Sequence, residues 1–159
     1  MKWLIDFCTN YLIVCAFFAW IAAQILKVFT GIFRLKTFSI VELLFGTGGM
    51  PSSHTAAVFA LTTACGIKYG LGSAEFAISG VLALIVMRDA MGMRRQVGEH
   101  AKTLNLILKE LADSKMDPKL AGKAFGELAG HTPLQVAMGV LVGVAVSFGF
   151  MFVPAFGLV

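Results

Sequence analysis

Four long apolar stretches constrain the fold of this chain more than any other feature. They cover residues 8–33, 52–69, 73–92 and 133–153. A helix needs about 20 mainly apolar residues to cross the hydrocarbon of a bilayer, and each stretch reaches or nearly reaches that length. Only 14% of the 159 residues are charged, against roughly a quarter in soluble proteins. We therefore predict one domain, residues 1–159, that is an all-α integral membrane bundle of about four transmembrane helices.

The segment between the third and fourth stretches, about residues 93–130, is too polar to cross. Its apolar side chains recur at helical spacing at Val97, Ala101, Leu104, Leu108 and Leu111. This pattern predicts an amphipathic helix that lies on the membrane or on the other helices. Asp117-Pro118 predicts a second short helix that ends at Gly130. The apolar piece 38–45 is too short to cross and predicts an interfacial or re-entrant helix.

The lysines and arginines are distributed unevenly, and this predicts the orientation of the chain. If four helices alternate in direction, only Lys2 and Lys68 fall on one side of the membrane. The other side receives eleven cations: Lys27, Arg34, Lys36, Arg88, Arg94, Arg95, Lys102, Lys109, Lys115, Lys119 and Lys123. Because the cation-rich side is usually cytoplasmic, we predict that this side faces the cytoplasm. Nucleic-acid binding is not expected, because these cations alternate with acidic residues and lack an aromatic platform.

Two of the apolar stretches open with a histidine-containing start signal. Pro51-Ser52-Ser53-His54 precedes one, and His131-Thr132-Pro133 precedes another. Serine and threonine are favoured N-cap residues, and proline suits the first helical turn. The N-terminus of a helix attracts phosphate through its backbone N–H groups and its dipole. Histidine acts as a nucleophile or a general acid near neutral pH. The two sequences together indicate a reaction centre.

The alternation of the helices brings the candidate reactive groups to one membrane face. The first span ends, the second begins, the third ends and the fourth begins on the same side. The first end carries Lys27 and Arg34, and the second carries His54. The third carries Arg88, Asp89, Arg94 and Arg95, and the fourth carries His131. Cations and histidines without a cluster of carboxylates favour metal-free phosphoryl transfer. No metal or other cofactor is expected, and Cys8, Cys15 and Cys65 show neither metal-ligand spacing nor a disulfide framework.

The ordered set of these motifs resembles the type 2 phosphatidic acid phosphatases, which are related to the vanadium haloperoxidases. Pro51-Ser52-Ser53-His54 is similar to the P-S-G-H motif of that family. Lys27 and Arg34 are separated by six residues, as in its K-x6-R-P motif. The His131–Val136 segment, followed by Gly139, is similar to the end of its third motif, H-x3-D. With the Gly92–Gln96 segment, the resemblance extends over residues 24–143 and is to the divergent branch of the superfamily.

This resemblance implies a two-step mechanism. His131 is expected to attack the phosphorus atom, and His54 to protonate the leaving oxygen, giving a phosphohistidine that water then hydrolyses. The resemblance and the adjacent cations give the expected phosphate-binding set: Lys27, Arg34, Ser52, Ser53, Arg94 and Arg95. Asp89 and Gln135 are the expected orienting residues.

Three positions depart from the family pattern. Leu35 replaces the proline of the first motif, Gln135 replaces the aspartate of the third, and Phe125 occupies the position of an arginine. Asp89 or Glu127 would then supply the carboxylate, and Arg94 or Arg95 the missing cation. In a second alignment, Arg94 and His100 take the places of the third motif, with Leu104 at the aspartate position. We rank it below the His131 alignment, because His131 directly precedes a predicted span.

We expect a membrane phosphatase that acts on a lipid phosphate or diphosphate at the cytoplasmic interface, among membrane lipids. The alternative is a catalytically inactive relative that binds lipid headgroups or serves as a scaffold. A small transporter or channel is a third class, but Gln24 is almost alone as a polar residue inside a span. The reacting group is common to phosphatidate, phosphatidylglycerophosphate and polyprenyl diphosphate, so the sequence does not name the lipid. A homo-oligomer is compatible with the sequence.

Overall fold

The computed structural model describes residues 1–32, 49–113 and 130–156, and the regular elements within these ranges are all helical. The helices are α1 (Lys2–Cys8), α2 (Tyr11–Ile32), α3 (Ser53–Tyr69), α4 (Ala74–Met91), α5 (Met93–Asp113) and α6 (Pro133–Met151). A 3₁₀ turn, Pro154–Phe156, follows. The helices predicted at residues 38–45 and after Asp117 lie outside the described ranges.

The predicted start signals of α3 and α6 are confirmed. Ser52 is the N-cap of α3, and its Oγ accepts a hydrogen bond from the Thr55 N–H. Thr132 is the N-cap of α6, with Pro133 in the first turn. The side chain of Gln135 completes a reciprocal capping box, because its Oε1 accepts a hydrogen bond from the Thr132 N–H at 2.8 Å. These side chains satisfy backbone donors that have no acceptor within the helix.

The all-α membrane bundle is confirmed, although the crossing segments differ in detail from the prediction. Within the described ranges, three segments are long and apolar enough to cross a membrane: Tyr11–Thr30, a segment within Ala74–Leu111, and Pro133–Met151. Helix α3 lies at the second predicted span but has only 17 residues, or about 25 Å against a hydrocarbon thickness of about 30 Å. Helix α2 corresponds to the first predicted stretch, residues 8–33, but begins at Tyr11, and the short helix α1 precedes it and ends at Cys8.

Helix α3 is the centre of the bundle and packs against α2, α4 and α6. Its Ala56 and Ala60 are completely buried. A Cβ atom at Gly139 of α6 would lie 2.6 Å from the Ser52 carbonyl oxygen, and one at Gly143 would overlap the Ala56 carbonyl oxygen. The two glycines therefore allow the α3 and α6 backbones to approach closely, as small residues do in membrane helix pairs. This packing fixes the start of α3 beside the start of α6.

Buried polar contacts also join α2, α3 and α6 away from those starts. The Tyr11 hydroxyl donates a hydrogen bond to the Ser147 carbonyl oxygen at 2.9 Å, and the Ser147 hydroxyl donates to the Ala60 carbonyl oxygen at 2.8 Å. The Phe156 ring packs on Tyr11 with the ring centroids 5.3 Å apart. Because both hydroxyls are buried and bonded, they hold the three helices in one register.

Candidate anion-binding site

Four helix ends meet at one end of the bundle, as the alternation of the spans predicts. Hydrogen bonds to backbone carbonyl oxygens join them: Thr30 Oγ1 donates to Met50 (2.6 Å), the Ser52 N–H to Gln135 (3.0 Å), and the His131 N–H to Ala90 (3.1 Å). They connect the end of α2, the start of α3, the start of α6 and the end of α4. Helix α3 packs against α2, α4 and α6, and α6 also packs against α2 and α4, so these four helix ends form one connected region.

Lys27 is the most unusual residue of this region, because it is a cation in the bundle interior. Only 7% of its surface is exposed. Its Nζ donates to Ser53 Oγ at 3.4 Å, and Gly49 lies against its methylene chain. Within residues 1–32, 49–113 and 130–156, no carboxylate is paired with this ammonium group. An ammonium group has three donors and a buried charge needs a partner, so Lys27 is suited to hold an anion.

The N-terminus of α3 lies directly beside that ammonium group. Ser52, Ser53 and Thr55 are all buried, with exposed fractions of 0–2%. The Ser53 amide is in the first helical turn, where backbone N–H groups have no acceptor within the helix. The positive end of the helix dipole and the Lys27 ammonium group therefore lie next to each other, among buried side chains. Both favour an anion such as a phosphoryl group.

The two histidines occupy the same end of the bundle but differ in exposure. His131 is 6% exposed and lies one residue before the Thr132 N-cap of α6. His54 is in the first turn of α3, and its side chain is exposed. The bond from the Ser52 N–H to the Gln135 carbonyl oxygen holds the two turns together. A buried imidazole and an exposed one at the same end of the bundle suit a nucleophile and a proton donor, respectively.

The remaining predicted site residues differ in their burial and in their contacts. Gln135 contributes its side-chain oxygen to the capping box. Asp89 is half-buried at the end of α4 and precedes Ala90, which accepts the His131 N–H. The Arg95 side chain is exposed, although its backbone lies against Gly130. The position of Arg34 and the side chain of Arg94 lie outside what the structure describes.

Sequence reasoning missed two threonines that the structure places at this site. Thr30 ties the end of α2 to the turn before α3. Thr55 is completely buried and donates its hydroxyl to Ser52. The spacing of Thr55, three residues after the Ser52 N-cap, was the available signal. In the described ranges, no group of three or more His, Cys, Asp and Glu side chains is arranged to hold a metal ion.

Comparisons with known proteins agree with these features. The sequence profile of the divergent PAP2 family matches residues 8–146. The uncharacterized membrane protein YuiD of Bacillus subtilis (strain 168) is 39% identical over 146 residues, which cover 86% of this chain and 90% of that protein. No solved structure gives a significant match. The matched region contains all the candidate site residues described above.

Proposed function

This chain belongs to the divergent PAP2 family, and on that basis we propose that it is a membrane phosphatase acting on a lipid phosphate or diphosphate. The single observation that carries the proposal is the burial of Lys27. A lysine that is 7% exposed beside a helix N-terminus is costly unless an anion neutralises it. Phosphate is the anion that both the ammonium group and the helix N-terminus favour.

In the proposed reaction, an imidazole nitrogen of His131 attacks the phosphorus atom, and the bond from phosphorus to the lipid oxygen breaks. His54 gives its proton to that leaving oxygen. A water molecule then attacks the phosphohistidine, the phosphorus–nitrogen bond breaks, and phosphate leaves while His54 regains a proton from the water. Splitting the transfer into two displacements makes each step easier.

The pocket would act mainly by stabilising charge. Lys27, Ser52, Ser53 and the first amides of α3 would hold the phosphoryl oxygens in both displacements. Arg34, Arg94 and Arg95 belong to the same proposal as further cations, and Asp89 and Gln135 as groups that orient His131. Groups fixed before the reaction stabilise the transition state without reorganisation, which is often the largest contribution to catalysis.

Phosphate release by the purified full chain tests this function. We expect the protein in lipid nanodiscs to hydrolyse at least one of phosphatidate, phosphatidylglycerophosphate and polyprenyl diphosphate. The activity should persist in EDTA and be inhibited by orthovanadate, which takes the geometry of the transferring phosphoryl group. Binding of these lipids without any phosphate release would instead identify a headgroup-binding relative. The use of the Gln135 side-chain oxygen in the capping box is the observation that favours that alternative.

The cytoplasmic orientation of the pocket is a further part of the proposal, supported by the placement of the cations. Lys102 on α5 is exposed, and Gly72, in the turn between α3 and α4, has open space around it. In a Cys8→Ser background, Lys102→Cys should resist a membrane-impermeant maleimide in intact cells, and Gly72→Cys should react. Both should react in lysed cells. The reverse pattern in intact cells would place the pocket outside.

A further inference from the structure

Ser52 and Thr55 form a completely buried hydroxyl pair at the start of α3, each with an exposed fraction of 0%. Thr55 Oγ1 donates to Ser52 Oγ at 2.9 Å, and the Thr55 N–H donates to the same oxygen at 3.4 Å. A hydroxyl oxygen accepts two hydrogen bonds and donates one. Thr55 alone therefore fills both acceptor positions of the Ser52 hydroxyl.

Counting the hydroxyl hydrogens of Ser52 and Thr55 shows that one of them is available to a ligand. The pair has two hydroxyl hydrogens, and the bond between the two oxygens uses one. In the described part of the chain, neither side chain has another hydrogen-bond partner. Because Thr55 Oγ1 is the donor of the mutual bond, the hydrogen left without a protein acceptor in that part of the chain is the one on Ser52 Oγ. Leaving such a donor unpaired is costly, so it indicates a ligand that accepts.

The groups near the Ser52 hydroxyl indicate which kind of ligand would accept its hydrogen. The next residue, Ser53, is bonded to the buried Lys27 ammonium group, which can donate but cannot accept. A ligand at this point meets an ammonium group, helix amides and a hydroxyl hydrogen, all of which are donors. An anion with several acceptor oxygens satisfies them together.

We propose that Thr55 is a positioning residue of the pocket: by occupying the acceptor positions of Ser52 Oγ, it directs the Ser52 hydroxyl hydrogen to a phosphoryl oxygen. This inference rests on the proposed function, because it takes a phosphoryl group as the ligand. Thr55 itself does not touch the anion. Its contribution passes entirely through Ser52.

The test compares four variants with a matched control in the full chain, using inorganic phosphate as the probe in isothermal titration. Thr55→Val removes the hydroxyl but keeps the backbone N–H, and should weaken phosphate binding about tenfold, the loss of one charge-assisted hydrogen bond. Thr55→Ser should restore binding. Thr62→Val is the control, because Thr62 is equally a buried threonine of α3 but donates to the Val58 carbonyl oxygen. Its affinity should not change.

The double variant separates a positioning role from a structural one. If Thr55 acts through Ser52, adding Thr55→Val to Ser52→Ala should cause less than about a twofold further loss. A full tenfold further loss would overturn the proposal. So would wild-type affinity in Thr55→Val, or the absence of phosphate binding in the wild type.

The proposed function can fail separately from this inference. If the wild type hydrolyses no lipid phosphate but the phosphate affinities follow the expected order, the enzyme proposal fails and the role of Thr55 stands. The elution volume in size-exclusion chromatography and the helical signal in far-ultraviolet circular dichroism would establish that each variant is folded. If Thr55→Val is not folded, Thr55→Ala carries the same expectation, because it also removes only the hydroxyl from the Ser52 contact.

Discussion

Replacing His131 by alanine is expected to reduce lipid phosphate turnover by at least about a thousandfold, the scale of losing a catalytic nucleophile. The backbone bond from residue 131 to the Ala90 carbonyl oxygen does not involve the imidazole, so the start of α6 should keep its place. The measurement is phosphate release at saturating lipid, combined with trapping of the phosphoenzyme. The wild type should form a phosphoenzyme that is stable in alkali and lost in acid, and His131→Ala should form none.

Two other histidine variants make this prediction specific. His100 is exposed on α5, so His100→Ala should retain wild-type turnover. Loss of turnover in His100→Ala, with activity kept in His131→Ala, would favour the second alignment and contradict the mechanism. His54→Ala should lose about a hundredfold to ten-thousandfold on lipid substrates, as expected for a general acid. Its loss should be much smaller on p-nitrophenyl phosphate, whose leaving group needs no proton.

Replacing Lys27 by methionine is expected to have opposite effects on ligand binding and on the stability of the empty protein. Phosphate affinity should fall by about a hundredfold or more, because the one buried ammonium group in the described pocket is lost. The free energy of unfolding without phosphate should be unchanged or higher, because the buried Lys27 ammonium group has no carboxylate partner in the described part of the chain and carries an uncompensated desolvation cost. Methionine keeps most of the side-chain volume beside Gly49.

Thermal unfolding with and without phosphate measures both effects. A ligand at a hundred times its Kd stabilises a protein by about 2.7 kcal/mol, and Lys27→Met should lose this stabilisation while the wild type retains it. Lys68→Met is the matched control, because Lys68 is exposed near the other end of α3 and lies over the Tyr69 ring. A clear loss of stability in phosphate-free Lys27→Met would show that Lys27 is structural rather than a ligand-binding group.

The sequence predicted the helical elements well because their signals are local. Ser52 and Thr132 act on amides within one helical turn, and both caps were predicted from residue type and position. The apolar lengths predicted a membrane bundle. The predicted stretch 52–69 agrees with α3 to within one residue, whereas the sequence analysis did not predict the separate short helix α1 before Tyr11. The role of Gly139 and Gly143 was also undecidable from sequence, because that spacing occurs by chance in glycine-rich spans.

The sequence by itself determined that this chain forms apolar helices, that two of them begin with capped histidine-containing turns, and that it belongs to its family. Only the tertiary structure decided that Lys27 is buried against Ser53, and that His131 is buried while His54 is exposed. The physical reason is the separation along the chain between the residues that interact. Caps and apolar periodicity depend on residues within a few positions, whereas burial and charge pairing depend on which distant helices pack together.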